Sequence, residues 1–510
     1  MTTAAAEPDA PSLVAARASR RVRAPLLWST AAAALAAIVY VIASPTIIDD
    51  AYITLAYARN FGLHLHWGLV PGLVDNTATS PLNVLFLALL IAIFRNGLVA
   101  LCVTVVLSAV GLEWGLRRVA RTAGLPAWTG LLGTGLCLLN PLVLSSVGME
   151  VIPCAALTAW LLVASTERRP WAFGLLAGLL AVFRADFVVI VAVIFLLRRE
   201  FWAGAWKSVG TALAVAACWY VPSWFLLGSA IPDTLVLKSL QRHWLGHTFG
   251  TGPALYWHIY PLATALAFAP AAAGVLAWLA WAALRGSVPG WLRLDPLAVL
   301  PVAAVVHYGA YTALGITPYH WYYGPAIVLS TMFLAAAVGA AVADKPHGWL
   351  LVLRAGAIAA AVLLAGADIG TYAAPGLPRT FAPLTTNWAS TATYRQIGLQ
   401  LRGLVGSQPV AGPPEVGVID YYCDCNVYEN FSDRGRFPAE LARYELRLGG
   451  LGEAVMNLNF ANLDRSMRPH PTRFVLIVEK QPDPHAIRNW RISSPWESQQ
   501  YLVLVSRQPS

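Results

Sequence analysis

Over its first 370 residues apolar residues fall in long runs along this chain, separated by short segments that hold nearly all of the arginines there. A helix needs about 20 apolar residues to cross the hydrocarbon of a bilayer. Eleven such runs are read at 24–44, 98–116, 126–146, 151–166, 171–184, 187–197, 207–228, 257–284, 296–315, 323–343 and 349–370. The run Pro81 to Phe94 has only 14 residues, which predicts an interfacial or re-entrant helix instead of a further span.

Composition sharpens this picture. Hydrophobic residues make up 57% of the 510 and charged residues 12%, about half the charged fraction of a soluble globular protein. That excludes an ordinary soluble enzyme, a disordered chain and a collagen-like or coiled-coil chain. The predicted fold class is a polytopic α-helical membrane protein carrying a C-terminal α/β domain. The net charge of +9 does not point to nucleic acid, because the basic residues lie between apolar runs and form no basic face. They report topology instead. With the N-terminus inside, the clusters Arg17/Arg20/Arg21/Arg23, Arg117/Arg118/Arg121, Arg168/Arg169, Arg198/Arg199/Lys207, Arg285/Arg293 and Lys345/Arg354 all face the cytoplasm. Those are 16 basic residues against five outside, namely Arg59, Arg95, Arg184, Lys238 and Arg242, as the positive-inside rule requires. Treating Pro81 to Phe94 as a span would invert every later loop.

Three segments follow. Residues 1–23 are read as a cytoplasmic leader before a retained anchor, since Ala43-Ser44-Pro45 is a poor cleavage site. Residues 24–370 form the transmembrane domain, with a first outer loop at 45–97. Beyond a linker marked by Pro375, Pro378 and Pro383, residues 371–510 read as an extracytoplasmic soluble domain. Its short β-type runs are Val416 to Tyr422, Phe474 to Glu479 and Tyr501 to Ser506, and Pro438 to Met456 has helical spacing. The protein is thus placed in the plasma membrane as a multi-pass chain.

With topology set, the residues that are expensive near hydrocarbon gather on the outer side. Asp49 and Asp50 follow the first span; Asp75, Asn76, Thr79 and Ser80 close the first outer loop; Glu150 ends the third span. Arg184 and Asp186 lie in a tight turn, Lys238 follows Pro232, and Tyr319 to Tyr323 follow the ninth span. Each has a plain structural reading beside the functional one: adjacent acids in a solvated loop, an internal Arg184–Asp186 pair, a polar helix end at Glu150. His243, His247 and His258 lack metal-ligand spacing, and the cysteines at 102, 137, 154 and 218 read as small core residues. Cys423 and Cys425 are too close in sequence for an unstrained pairing, and their role stays open. Together, though, the outer residues supply a base in Asp49/Asp50, cations in Lys238, Arg184 and Arg242, and aromatic walls in Trp67, Trp321, Tyr322 and Tyr323. A carboxylate to take a hydroxyl proton, a cation for a leaving phosphate and rings against a sugar are what transfer from a lipid-linked donor needs.

At Ile48-Asp49-Asp50-Ala51-Tyr52-Ile53-Thr54-Leu55-Ala56-Tyr57-Ala58-Arg59-Asn60 the chain resembles the first outer loop of GT-C-type polyprenyl-phosphate-sugar glycosyltransferases, similar to actinobacterial cell-wall arabinofuranosyltransferases. The resemblance continues in order through Asp75-Asn76-Thr77-Ala78-Thr79-Ser80-Pro81-Leu82, Ser146 to Glu150, Arg184-Ala185-Asp186, Ile231 to Lys238, Tyr319 to Pro325 and Val416 to Tyr422. Asp186 stands where the family usually has Glu, His320 where it commonly has Arg, and Cys423 to Asn430 departs from its pattern. The resemblance implies a GT-C fold of about 11 transmembrane helices and inverting transfer. The donor would be a polyprenyl-phosphate sugar, arabinofuranose in the first reading, and the acceptor a cell-envelope polysaccharide. Asp49 would be the base and Asp50 its partner; Lys238, Arg184 and His320 would hold the donor phosphate; Glu150, Tyr52, Asn76, Thr234, Tyr322 and Trp321 would bind substrate. No cofactor is certain, a divalent cation stays open, and no nucleotide motif is visible. The alternatives are a mannosyltransferase using polyprenyl-phosphate mannose, or a non-catalytic transporter or scaffold for lipid-linked glycans.

Overall fold

The computed structural model describes residues 11–241, 244–343, 349–374 and 376–507; Arg242, His243, Lys345 and Pro375 lie outside them. In chain order, α1 (Pro11–Ala43) leads into α2 (Asp49–His64) and α3 (Pro81–Phe94). There follow α4 (Gly97–Thr122), α5 (Trp128–Leu139), α6 (Pro141–Ser145), α7 (Val151–Thr166), α8 (Pro170–Phe183), α9 (Phe187–Leu197) and α10 (Ala205–Leu226). Next come α11 (Thr234–Leu240), α12 (Gly252–Ile259), α13 (Pro261–Leu284), α14 (Val299–Leu314), α15 (Gly324–Ala343) and α16 (Trp349–Ala373). The apolar runs read from the sequence are helical, except that 126–146 is split at Asn140 into α5 and α6 and 257–284 is split at Tyr260 into α12 and α13; Pro81–Phe94 is the 14-residue helix α3. Among the described residues five helices are long and apolar enough to cross a membrane by length and composition, and seven shorter apolar helices accompany them. The protein is a polytopic membrane protein. At one end of the bundle Arg118 Nη2 donates to Glu167 Oε2 at 2.9 Å and Arg198 Nε to Ser165 Oγ at 3.0 Å. At the other, Arg184 Nη1 donates to Glu150 Oε1 at 2.8 Å. Because α7 runs from Glu150 to Thr166, these contacts fix the alternation of α4, α7, α8 and α9.

Close helix packing within lipid depends on small residues, since burial of apolar surface gives little advantage there. In α8, Gly174 and Gly178 lie one turn apart on the face that meets α10. A Cβ at Gly174 would collide with the Ser208 carbonyl oxygen, and one at Gly178 would stand 2.6 Å from Val215 Cβ.

The remaining elements are α17 (Thr391–Val405), β1 (Val410–Ala411), α18 (Gly417–Cys423), β2 (Val427–Tyr428), α19 (Phe437–Glu445), α20 (Leu451–Asn459), β3 (Phe474–Glu479), β4 (Arg488–Ile492) and β5 (Gln500–Ser506). The five strands lie in the order β2-β1-β3-β5-β4. β1 is parallel to β2 and β3, and the other pairs are antiparallel. The segment Val416 to Tyr422, expected as a strand, is instead the helix α18. A short apolar run fits either element, and here tertiary contact decides. Gly417 has no room for a Cβ against the Asp49 carbonyl oxygen, so α2 and α18 touch backbone to backbone. Helical spacing between Pro438 and Met456 resolves into α19 and α20, broken at Gly450, whose φ is +51°. Cys423 and Cys425 form a disulfide despite their two-residue separation, with Cα atoms 5.1 Å apart. The intervening Asp424 adopts φ +51°, which turns the chain back on itself.

One continuous core joins both parts of the chain, uniting Ile47, Ile48 and Ala51 with Tyr394, Ile397, Val416 and Val418. Residues 380–391 run along the end of the bundle. There Leu384 N donates to Ser145 Oγ at 2.9 Å and Thr391 Oγ1 to the Ile47 carbonyl at 2.8 Å.

Replacing Gly174 by Val should force α8 from α10 and cost about 1–3 kcal/mol or more. Thermal unfolding in detergent should show a lower midpoint for this variant and an unchanged one for Gly210→Ala, whose Cβ meets nothing.

Candidate active site

Asp49 and Asp50 both occupy the first turn of α2, where a helix dipole favours acids. Neighbouring positions on a helix point about 100° apart, so the two carboxylates face different parts of the molecule. Asp49 is buried and accepts from the backbone N–H groups of Gly417, at 2.9 Å, and Val418, at 2.8 Å. It thereby caps α18 from another element and holds the C-terminal region on the first loop. Burial pushes its carboxyl up to about 7, against the two N–H donors that favour the ionised form.

Asp50 turns the other way, into a cavity between the bundle and the C-terminal region. Its side chain is 32% exposed and lies 3.7 Å from Lys238 Nζ. Among the described lining residues Lys238 is the only cation, with Glu150 the second acid. The lysine comes from α11, and its ammonium stands 5.0, 5.7 and 5.5 Å from the ring centres of Tyr319, Trp321 and Tyr322. Tyr319 and Trp321 stack at 4.7 Å, forming an aromatic wall. Burial works against the ammonium, yet Tyr322, Asp50 and Tyr319 outweigh it and hold Lys238 above its ordinary value. Burial raises Asp50, Lys238 opposes that shift, and Glu150 adds to it. Hydroxyls complete the lining: Thr79 Oγ1 donates to Thr234 Oγ1 at 3.4 Å, and Ser80 Oγ is buried without a partner.

The structure therefore brings Asp50, Glu150, Thr234, Lys238, Trp321 and Tyr322 together. It places the other candidates elsewhere. Arg184 is 2% exposed and does not line the cavity. Its guanidinium is spent on Glu150, on Asp186 at 2.8 and 3.1 Å, and on Tyr311 at 2.9 Å, so its position is that of the internal ion pair. Through Glu150 it fixes a carboxylate of the cavity wall. His320 is fully buried, its Nε2 3.3 Å from the Ser145 carbonyl and its ring edge-on to Trp321. Asn76 is pinned by its amide to Ser223 and Ser229, and Tyr52 packs against Tyr421 and Tyr422 of α18. Trp67 and Tyr323 are core residues against Trp219 and Phe249.

Sequence reasoning missed the contribution from the C-terminal region. Pro414 and Phe431 close the cavity from that side. A second cavity shares Asp50, Gln241, Tyr319 and Pro414 with the first and adds Asp49, Trp244, Asn387, Trp388 and Glu415. Glu415 accepts from Trp388 N at 2.9 Å and Tyr394 Oη at 2.7 Å. Burial and the nearby Asp49 charge keep it well above the carboxylate range. No local motif marks these residues, and those of the C-terminal region lie far along the chain from Asp50.

Among the described residues no three His, Cys, Asp or Glu side chains gather to hold a metal ion. Glu150 is paired with Arg184 and Asp50 with Lys238, so this donor set does not fit a resident divalent cation.

No family model matches the chain, and no curated protein matches it in sequence. Solved structures do match in fold. ArnT from Cupriavidus metallidurans in the apo state superposes with a TM-score of 0.54 at 14% identity, over 94% of this chain and 97% of that one. The same protein bound to undecaprenyl phosphate gives 0.53 at 13% identity over the same shares. The mycobacterial arabinofuranosyltransferase AftD, in a mutant form, gives 0.45 at 17% identity over 76% of this chain and 30% of that one. The chain thus has the GT-C fold that its sequence resemblance implied.

Asp49 titrates above its ordinary 3.8, so its contribution to stability is complete below pH 3.8 and is lost as pH rises through about 7. Asp49→Asn, which cannot ionise, should flatten the stability–pH curve across that window in thermal unfolding. Asp49→Ala removes both acceptors and should cost about 0.5–2 kcal/mol at all pH values.

Proposed function

We propose that the protein is a membrane glycosyltransferase that moves a sugar from a polyprenyl-phosphate donor to a cell-envelope glycan on the outer face of the plasma membrane. The observation that carries this reading is the 3.7 Å pairing of Asp50 with Lys238 between aromatic walls, at the end of a GT-C bundle. It is supported by ArnT, which has this fold and was solved with undecaprenyl phosphate.

The donor's prenyl tail lies among the spans and its head group enters the first cavity. Lys238, with the hydroxyls of Ser80, Thr79 and Thr234, holds the phosphate. Once phosphate occupies the ammonium, Asp50 loses its counter-charge and faces Glu150, which makes it the stronger base. The acceptor hydroxyl gives its proton to Asp50, and its oxygen bonds to the anomeric carbon. The bond from that carbon to the phosphate oxygen breaks with inversion, and the electron pair leaves on polyprenyl phosphate. The extra charge on that phosphate develops only as the bond breaks, so a fixed ammonium favours the transition state over the bound donor. Asp50 stands at the junction of the two cavities, and the second one takes the acceptor glycan between Trp388 and Tyr319. The motif resemblance favours arabinofuranose; mannose is the alternative.

Full-length protein in nanodiscs, given synthetic polyprenyl-phosphate arabinofuranose or mannose and an arabinan or mannan oligosaccharide, should release polyprenyl phosphate with one donor. Asp50→Asn should lower kcat by about 10²–10⁴-fold, and Asp49→Asn by far less. Equal rates for Asp50→Asn and wild type would remove the proposed base. Activity should fall on the acid side, with a midpoint above 3.8 because Asp50 must be ionised. Lys238→Met should move that limb to higher pH, since the ammonium is what holds Asp50 down.

A further inference from the structure

The helical hairpin α19–α20 belongs to the part of the chain that reads as soluble, yet one face of it is apolar and uncovered. Leu446, Leu451, Val455 and Leu458 are 87, 82, 46 and 65% exposed. In α20 three of these recur at i, i+4 and i+7, a single stripe along the helix, while Met456 is buried on the side turned away from it. Isolated exposed leucines need no explanation, but a contiguous stripe does.

What the stripe meets is indicated by its neighbour. The Trp224 indole Nε1 donates to the Leu458 carbonyl at 2.8 Å, and Asn462 Nδ2 donates back to the Trp224 carbonyl at 3.1 Å. Trp224 lies in the last turn of α10, a helix long and apolar enough to span, which packs on α8 with one face and leaves much of the rest exposed. Around it Val221, Phe225 and Leu226 are exposed at 49, 63 and 78%. The end of α20 is therefore level with the last turn of a lipid-facing span, and the two apolar surfaces run together. Arg447, exposed at the bend beside Leu446, is positioned for lipid phosphate.

We infer that α19–α20 is an interfacial membrane hairpin, with Leu446, Leu451, Val455 and Leu458 set into the headgroup and acyl boundary of the leaflet on the cavity side. Its inner face grips α11: Phe437, Leu441 and Phe460 pack on Val236 and Leu237, the two residues just before Lys238. Arg434 Nε adds an ion pair to Asp233 at 3.0 Å. The lipid surface is thereby tied to the helix that carries the cavity's ammonium. This contact is independent of any transfer reaction.

The test uses full-length protein in phosphatidylcholine nanodiscs, with the exposed thiol Cys218 changed to Ser. A bimane label is placed on Leu451→Cys, Val455→Cys or, as a control on an exposed loop, Lys480→Cys. Emission from positions 451 and 455 should be lost when the lipid carries a shallow doxyl group and should survive iodide. The label at 480 should do the reverse. Quenching of 451 and 455 by iodide overturns the inference, because the stripe would then face water. Resistance to both quenchers also overturns it, because a protein surface would then cover the stripe. Donor binding and turnover do not enter the measurement, so it stands or falls apart from the glycosyltransferase reading.

Discussion

Two backbone N–H groups of α18 end on the Asp49 carboxylate, and the placement of the site follows from that contact. An acid in the first turn of a helix ordinarily faces water. Here it is buried against a second helix start, and the unsatisfied N–H groups of α18 end on it. The missing Cβ of Gly417 lets the backbones touch, and Tyr52 fills the adjoining space against Tyr421 and Tyr422. With Asp49 committed, the rotation of α2 is fixed, and the neighbouring side chain of Asp50 can only enter the cavity. The roof of that cavity, Pro414 and Phe431, is carried by the same C-terminal region that Asp49 holds down.

Charge within the cavity is balanced in two separate units. Glu150 is neutralised from behind by Arg184, which is itself held by Asp186, and Asp186 also meets His307 at 2.9 Å. This buried network takes up the Arg184 guanidinium. Asp50 and Lys238 are the looser unit: 3.7 Å is a long ion pair, and both partners reach open space. A pair in this state exchanges its counter-charge for an incoming anion at little cost, whereas breaking the Arg184 network would strand a buried charge. The division separates residues that build the wall from residues that can answer a substrate.

Much of the architecture was legible because hydrocarbon leaves few options: backbone groups must pair internally, so long apolar runs become helices. The run at Pro81 is helical over the 14 residues read from the sequence. What stayed hidden depended on contacts distant in sequence. Val416 to Tyr422 looks like a strand until Asp49 supplies its cap. β1 and β2 are two residues long each, and β4, Arg-Asn-Trp-Arg-Ile, lacks a clear alternation. The motif identified a pair of acids but not their directions, since adjacent residues share every sequence property except angle. Arg184 and His320 were plausible anion ligands by type; burial and prior partners decide otherwise, and neither is visible in a motif. The disulfide between Cys423 and Cys425 needed a residue at positive φ between them, which Asp424 provides.

A donor with a prenyl tail and an acceptor that is a polar glycan cannot share an approach, because one is confined to lipid and the other to water. Two cavities joined at a single carboxylate answer that constraint, provided their common wall is rigid. Tyr319, Gln241 and Pro414 belong to both cavities, and the Tyr319 hydroxyl donates to Gln241 Oε1 at 3.0 Å. Trp244 then packs on Tyr319 and on Trp496 of the loop between β4 and β5, each at 4.9 Å between ring centres. The partition is thus braced by loops of the bundle and by the C-terminal region together. A chain with the bundle alone would keep Lys238 and Asp50 but lose the wall that keeps the two approaches distinct, which gives the C-terminal region a physical role in the chemistry without placing any reacting group on it.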